Sequence, residues 1–332
     1  MVNRHTHGTL MQMDQTAFLV RLLISNLGFV GTLLNTIQLY VLCQCRMSSR
    51  ITTLLLRTQS VIDAYTCLII FTSKLAGSEI DTGVPTLDEA LCYLWYKDNL
   101  FWLGVVASVQ NLTCISFDRF YAVCYPSQYK MRQIQLIIGC YCYEVGMTLF
   151  LFIPNFFLRR YESNQCNSQF AFDGHVIEQF FEVQAYLWTL FNYVLPAFVM
   201  ISSHAYVIHV LRRPTTGQEG SQFIRSNVKR LILTTSMMAG FLLVLHLYEA
   251  VKYILGNSGI VPYASGSVLQ QVGILLITLS AVLNPCVLVA TSHRVRMQVS
   301  RIILNLEVID NSISATENQT LSRGLPETQS AI

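Results

Sequence analysis

The chain has 332 residues, of which 52% are apolar and only 12% carry a formal charge. A soluble domain carries about 25% charged residues, so the composition favours lipid over water as the main solvent. The net charge of +3 is too small to indicate a nucleic-acid partner. These values exclude an ordinary soluble domain and predict a membrane protein.

Seven long apolar runs account for most of the chain. A helix needs about 20 mostly apolar residues to cross the hydrocarbon core, and an open backbone finds no hydrogen bonds in lipid. The runs are too long and too continuous for barrel strands, which alternate over about ten residues. We therefore predict an all-α fold, a seven-transmembrane helix bundle. The predicted spans cover residues 17–43, 51–75, 96–124, 133–157, 184–211, 227–255 and 266–290.

Lysine and arginine residues are denser at one set of span ends than at the other. Under the positive-inside rule the denser set faces the cytoplasm. Residues 1–16 then form a short extracellular head, and the C-terminus lies inside the cell. The head is polar and the first apolar run is long enough to span, so we predict a signal anchor rather than a cleaved leader. The transmembrane domain covers residues 17–290.

An amphipathic segment follows the last span, at residues 291–305. Its apolar side chains share one helical face and arginines surround the other, which is typical of a helix lying on the inner leaflet. Residues 306–332 are polar and rich in serine and threonine, and we predict a disordered cytoplasmic tail. The apolar face consists of Val295, Val299, Ile302 and Ile303.

Asp63 lies midway along the second predicted span. A charge near the bilayer centre costs about 2.5–3.5 kcal/mol, so such a residue calls for partners. A carboxylate ringed by hydroxyl and amide oxygens suits a small hard cation such as sodium. The alternative is a water-filled polar network without an ion. The residues that would converge on Asp63 in a bundle are Asn35, Ser108, Ser280 and Asn284.

In the third predicted span, a helical stripe that includes Phe101 and Ser108 ends in Arg119 at the cytoplasmic edge, with Asp118 beside it. A snorkelling arginine at a membrane boundary would explain Arg119 alone. It does not explain the sequence around it. That sequence, Leu112–Tyr129, reads Leu-Thr-Cys-Ile-Ser-Phe-Asp-Arg-Phe-Tyr-Ala-Val-Cys-Tyr-Pro-Ser-Gln-Tyr.

This segment resembles the end of the third helix and the second inner loop of rhodopsin-like G-protein-coupled receptors. Their pattern is Ile-Ser-x-Asp-Arg-Tyr-x-Ala-Val, followed by Pro and Tyr. Asn284, which precedes a proline, looks like the Asn-Pro pair of that family's seventh helix, and Asn35 and Asp63 are similar to its first- and second-helix polar residues. The resemblance covers residues 17–305 and implies a multi-pass receptor of the plasma membrane.

The resemblance implies roles for particular residues. Asp118, Arg119 and Phe120 would form the region that couples to a heterotrimeric G protein. Cys92 would form a disulfide with Cys166 in the second outer loop. An allosteric sodium ion is the one bound species implied, and no other cofactor is expected. The implied sodium pocket consists of Asn35, Asp63, Ser108, Ser280 and Asn284.

The resemblance also implies that the tail is phosphorylated by receptor kinases and then recruits arrestin. A phosphate adds about −1.5 to −2 charge, which a basic partner can recognise. The alternative is a solvated tail without a regulatory role. The candidate sites are Ser312, Ser314, Thr316, Thr320, Ser322, Thr328 and Ser330.

Several positions depart from the family pattern. Residues 244–248 replace the sixth-helix Cys-Trp-x-Pro signature, and without its proline this helix need not kink. Leu288 replaces the seventh-helix tyrosine, His204 replaces the fifth-helix tyrosine, and Cys92 lies two positions further from Arg119 than is usual. These departures favour an alternative, a receptor-fold binding protein with weak or atypical G-protein signalling.

The expected ligand site lies among the outer halves of the third, fifth, sixth and seventh helices. Phe101 stands where amine receptors carry an aspartate, and the span 266–290 has no lysine for retinal, which disfavours a monoamine receptor and an opsin. Mixed charges with aromatic residues favour a peptide, and a lipid or small organic ligand remains open. The predicted pocket residues are Lys97, Asp98, Phe101, Trp102, Tyr248, Glu249, Lys252 and Gln270.

Other functional classes fit the sequence less well. No metal-ligand cluster, nucleophile elbow or phosphate loop is present, so we do not expect an enzyme. A transporter or channel is less favoured because the sequence has no internal repeat. Asp63 and Glu144 also hardly make a chain of intramembrane charges.

Overall fold

The computed structural model describes residues 3–45, 49–77, 79–167, 175–212, 220–261, 266–302 and 304. Within these ranges, seven helical segments are long and apolar enough to cross a membrane. Each overlaps a predicted span, so the predicted seven-helix class is confirmed. We call them the first to seventh spans: Ala17–Gln44, Arg50–Ala76, Pro85–Cys124, Gln133–Leu158, Val183–Arg212, Val228–Asn257 and Val268–Thr291.

Some spans contain more than one helical element. The first helix begins at Asn3, ahead of its apolar span, and the sixth begins at Gly220. A short helix, Pro126–Met131, joins the third and fourth spans, and strands β1 (Arg160–Glu162) and β2 (Gln165–Asn167) form an antiparallel hairpin. The composite spans consist of Pro85–Leu94, Tyr96–Asp98 and Asn99–Cys124 (third), Gln133–Phe152 and Ile153–Leu158 (fourth), and His175–Thr189, Leu190–Val194 and Leu195–Arg212 (fifth).

Local sequence explains where several helices begin and bend. Ser49 begins the second span, and its side chain accepts a hydrogen bond from the Thr52 backbone N–H. Ser267 does the same for Gln270 at the start of the seventh span. Such N-caps satisfy one of the donors that the first helical turn leaves free. In the fifth span, a π-helical turn ends just before Pro196, which cannot donate a backbone hydrogen bond.

The bundle turns polar groups inward and large apolar groups outward. Phe18, Phe198 and Val244 are more than 60% exposed, whereas Asp63 and Asn284 are almost fully buried. A soluble protein would expose such polar side chains and bury such apolar ones, so this distribution is that of a protein surrounded by lipid. Small residues let helices approach closely, as is common in membranes. A Cβ on Gly28 would lie 2.8 Å from the Cys67 carbonyl oxygen of the second span.

A further helix, residues 293–302, follows the seventh span. Val295 is fully buried, and Val299 and Ile302 pack against the same core cluster, so these three predicted residues do share the apolar face. Ile303 and the tail, residues 306–332 with its seven candidate phosphorylation sites, lie outside the described residues. Below, the arginine end is the end of the bundle that holds Arg119, and the disulfide end is the opposite one.

Candidate functional site

Arg119 at the arginine end is held by Asp118 of its own span and by Thr52 of the second span. Its Nε donates to Asp118 Oδ2 over 3.0 Å, and its Nη2 contacts the same oxygen and the Thr52 hydroxyl of the second span. Thr52 Oγ1 donates to Asp118 Oδ2 over 2.9 Å. The arginine side chain is only 5% exposed. A buried cation needs a partner and further hydrogen bonds, and Arg119 has both.

Tyr129, from the short helix Pro126–Met131, completes this arrangement. Its hydroxyl donates to Asp118 Oδ1 over 2.7 Å and lies 2.6 Å from Ser49 Oγ. Burial, with the Asp118 carboxylate nearby, raises the pKa of Tyr129 to about 12. The phenol therefore keeps its proton at neutral pH and remains a donor. The position of Arg119 thus depends on groups from three parts of the chain.

Phe120 and His204 occupy positions where the family pattern has tyrosine. The Phe120 ring lies 5.5 Å from the Tyr206 ring in an edge-on contact, which joins the third and fifth spans. His204 is buried and bridges two serines. Its Nε2 lies 3.1 Å from Ser116 Oγ in the third span, and its Nδ1 lies 2.9 Å from Ser236 Oγ in the sixth.

The two serine hydroxyls determine which ring nitrogen of the neutral His204 side chain carries the proton. Ser116 Oγ already donates to the Leu112 carbonyl oxygen over 2.9 Å, so it accepts from His204 Nε2–H. A neutral imidazole has one donor and one acceptor nitrogen. Nδ1 is then the acceptor, and Ser236 donates to it. One histidine therefore couples the third, fifth and sixth spans close to Arg119.

Asp63 sits in a network of hydrogen bonds in the middle of the bundle. Its Oδ1 accepts from Gln59 Nε2 and from Ser108 Oγ, each over 2.9 Å, and its Oδ2 accepts from Asn284 Nδ2 over 2.7 Å. Asn111 Nδ2 donates to Gln59 Oε1 over 2.8 Å. The sequence pointed to Ser108 and Asn284 but missed Gln59, although Gln59 lies four residues before Asp63 on the same helical face.

Two other predicted members of the sodium pocket have different surroundings. Asn35 Nδ2 donates to the Gly31 and Ala281 carbonyl oxygens over 2.9 and 3.1 Å. Asn35 therefore joins the first span to the seventh rather than bonding to Asp63. Ser280 is buried in the seventh span, four residues before Asn284. Among the described residues, no group of three or more His, Cys, Asp and Glu side chains could hold a metal.

The disulfide end carries a disulfide between Cys92 and Cys166, whose Cα atoms are 5.5 Å apart. Cys92 belongs to the helix Pro85–Leu94, and Cys166 lies opposite Tyr161 in the β1–β2 hairpin. Residues 163–164, both with positive φ, turn the hairpin, as a two-residue turn that matches strand twist requires. The disulfide fixes the hairpin against the start of the third span.

Lys97 and Asp98 interrupt the third span, with φ values of 53° and 60°. This left-handed turn separates Cys92 from the helix that carries Arg119, which accounts for the two extra positions between them. Asp98 accepts from Lys74 Nζ over 2.6 Å and from the Ser73 hydroxyl, and both side chains of the ion pair are 7% exposed. Asp98 thus lies in a buried ion pair rather than open to a ligand, and no sequence pattern identifies Lys74 as its partner.

Three aromatic rings, one each from the third, fifth and sixth spans, pack together at the disulfide end. The Trp102 ring lies 5.9 Å from Trp188, which lies 5.1 Å from Tyr253. Phe101 is fully buried and packs toward the first, second and seventh spans. Of these two predicted pocket residues, Trp102 therefore belongs to this aromatic cluster and Phe101 does not. Trp188 and Tyr253 were missed, although Tyr253 follows Glu249 by one helical turn.

The remaining predicted pocket residues lie where the sixth and seventh spans meet. Glu249 is 3% exposed, and a Cβ on Gly273 would collide with its carboxylate. Tyr248 donates to the Leu269 carbonyl oxygen over 3.3 Å, and Gln270 Oε1 accepts from the Gly266 backbone. Lys252 is half-buried. Glu249 and Tyr253, rather than Tyr248 and Lys252, lie on the face of the sixth span that points into the bundle.

The structure is a bundle of seven membrane-span helices, with an aromatic cluster at one end and a restrained arginine at the other. Residues 34–288 match the family described as seven-transmembrane receptor (rhodopsin family). The chain belongs to this family, and its members are receptors rather than enzymes.

Two curated relatives are similar to the chain over part of their length. The rat protein G-protein coupled receptor 183 is 26% identical over 225 residues, which cover 65% of this chain and 58% of the relative. The bovine C-X-C chemokine receptor type 3 is 27% identical over 197 residues, 57% of this chain and 50% of the relative. The chain thus matches between half and three-fifths of the length of these relatives.

Proposed function

We propose that the chain is a plasma-membrane receptor that binds an extracellular peptide at its disulfide end and activates a heterotrimeric G protein at its arginine end. The disulfide supports this orientation, because disulfides persist in oxidising compartments. The bias of lysine and arginine toward the other end supports it as well. Receptor kinases and arrestin would act on the tail, whose residues lie outside those described.

The observation that carries the proposal is the buried Arg119 with its partners. A cation that is taken out of water and held by Asp118, Thr52 and Tyr129 is expensive to build. The arrangement has a function if Arg119 exchanges these partners for contacts with an incoming G protein. The His204 bridge to Ser236 connects the same region to the sixth span, whose displacement would open the arginine end.

A peptide is the ligand class that we favour. One relative is named as a receptor for a chemokine, which is a polypeptide. The disulfide end carries the large aromatic rings of Trp102, Trp188 and Tyr253. Such rings are the usual anchors for side chains of a polypeptide partner. The half-buried Lys252 at the rim adds a charge that a peptide could pair with.

A peptide-library screen on cells that display the receptor, read by direct binding, tests this ligand class. For a peptide found in this way, Trp188→Ala is expected to weaken binding about 30-fold, because loss of an aromatic anchor costs about 2 kcal/mol. Trp188→Phe, which keeps the packing, should weaken it less. Phe198→Ala removes a ring that is 69% exposed on the same span and serves as the control. Equal loss in the control, or binding only of lipids or small organic molecules, would contradict a peptide site.

A second candidate is a receptor-fold binding protein that signals weakly. The sixth helix runs without interruption from Gly220 to Asn257, with Leu245 and Leu247 in place of the family's tryptophan and proline. Leu288, in place of the seventh-helix tyrosine, is fully buried in the core at the arginine end. An apolar side chain there offers no hydroxyl to Arg119 after a rearrangement. Ligand binding without G-protein activation would favour this candidate.

A further inference from the structure

The carboxylate of Asp63 already receives three hydrogen-bond donors from the protein. Gln59 and Ser108 donate to Oδ1, and Asn284 donates to Oδ2, all within 2.9 Å. A carboxylate has about four lone-pair directions, so one remains. Asp63 itself is 1% exposed. The carboxylate therefore accepts hydrogen bonds from N–H and O–H groups of the second, third and seventh spans.

Gln59 uses every polar atom of its amide in this network. One N–H points to Asp63 Oδ1, and the same nitrogen lies 2.7 Å from Ser108 Oγ. Its carbonyl oxygen accepts from Asn111 Nδ2, which also donates to the Leu55 carbonyl oxygen over 3.0 Å. Gln59 is fully buried. This closed set of partners holds the amide in one orientation, with its N–H groups toward the carboxylate.

A sodium ion needs oxygen ligands around it, and the groups nearest Asp63 instead present hydrogens. The N–H hydrogens of Gln59 and Asn284 carry partial positive charge and point at the carboxylate, so they would repel a cation placed there. Ser108 Oγ, the hydroxyl that could turn a lone pair to an ion, already accepts from Gln59. The residues present at Asp63 therefore do not fit the sodium ion that the family resemblance implies.

We propose that the Gln59 amide takes the place of a cation at Asp63, so that the receptor does not use sodium as an allosteric ligand. The permanent donor stabilises the buried carboxylate without an ion. It also makes the centre of the bundle indifferent to ionic composition. The inference concerns ion binding alone and does not depend on which ligand or G protein the receptor engages.

Replacing Gln59 would expose the latent site. Gln59→Leu removes both N–H groups and branches one carbon earlier than glutamine, and it leaves Asp63 and the Ser108 hydroxyl free to face an ion. Asn284, whose nitrogen bonds to Asp63, has a side-chain oxygen with no hydrogen-bond partner in the described part of the chain. Rotation of its amide would turn this oxygen toward an ion beside Asp63. The variant is therefore expected to gain a sodium site that the natural chain lacks.

The test is thermal unfolding of purified full-length receptor in sodium, potassium or choline chloride at equal ionic strength. The natural chain should melt at one temperature in all three salts. Gln59→Leu should be stabilised by sodium alone, with its unfolded fraction falling about tenfold when sodium exceeds its Kd tenfold. Gln59→Leu combined with Asp63→Asn should lose this effect.

Two results would overturn the proposal. One is a sodium-specific stabilisation of the natural chain that Asp63→Asn abolishes. The other is a folded Gln59→Leu that melts identically in the three salts; Gln59→Met takes its place in the test if the leucine variant does not fold. Gln110→Leu is the matched control, because Gln110 is an equally buried glutamine whose amide bonds to Phe191 and Tyr143 instead. It should show no sodium shift.

Discussion

Replacing Asp98 with asparagine is expected to remove most folded receptor from the cell surface. The substitution leaves the ammonium of Lys74 buried at 7% exposure without its carboxylate. Breaking one side of a buried pair costs about 3–5 kcal/mol, a large part of a typical net stability of about 5–15 kcal/mol. Asparagine tolerates the left-handed backbone at this position, so the loss reports on charge rather than on strain.

The melting temperature of detergent-solubilised protein measures this effect. We expect a fall of roughly 10 °C for Asp98→Asn, and recovery of most of it when Lys74→Met is added, because replacing both partners by uncharged groups is often neutral. Glu89→Gln, which neutralises an exposed carboxylate nearby, is the control and should melt like the natural chain. Asp98→Asn that melts normally would show that the pair does not hold the second and third spans together.

Ser236→Ala is expected to raise ligand-independent G-protein activation about five- to tenfold. The alanine cannot donate to His204 Nδ1, 2.9 Å away, so the closed arrangement loses one buried hydrogen bond, worth about 1 kcal/mol or more. An active arrangement in which the sixth span moves away does not contain this bond and loses nothing. If the active state is a minor population, such a change in free energy increases it by that factor.

Nucleotide exchange on purified G protein, at matched receptor concentration, measures the effect of Ser236→Ala. Ser202→Ala is the control, because the Ser202 hydroxyl is exposed on the fifth span and bonds only to its own helix in the described structure, at the Phe198 and Val199 carbonyl oxygens. His204→Ala should activate at least as strongly as Ser236→Ala. Basal exchange equal to that of the natural chain in both variants would mean that the bridge does not restrain the sixth span.

The fold was predictable from sequence because lipid leaves few options for a long apolar run. Six of the seven spans were placed within two residues at both ends, because hydropathy determines them, whereas the third begins at Pro85, eleven residues before its predicted start. Hydropathy does not predict the break at Lys97 and Asp98, where two residues with left-handed backbone divide the third span. That break depends on the tertiary pair with Lys74, which no local pattern encodes.

The site was predictable in part for the same reason. Asp63 and Arg119 are conspicuous as charges in or beside apolar spans. Their importance could be inferred from the free energy that it costs to place a charge in the membrane. Their partners are uncharged and polar, and Gln59, Thr52 and Tyr129 look like ordinary helix or loop residues until the spans are packed. Trp188 and Tyr253 were hidden because aromatic residues are common in membrane spans.

The most direct test of the proposed function is nucleotide exchange by a panel of heterotrimeric G proteins on receptor in lipid nanodiscs. We predict exchange above that of empty discs for the natural chain and more for Ser236→Ala, and a fall to the empty-disc level when Arg119→Ala is added to either, with melting temperatures showing that the variants fold. Exchange that persists without Arg119, or no exchange by any G protein from either parent chain, would contradict the proposal that this receptor signals through the arginine end.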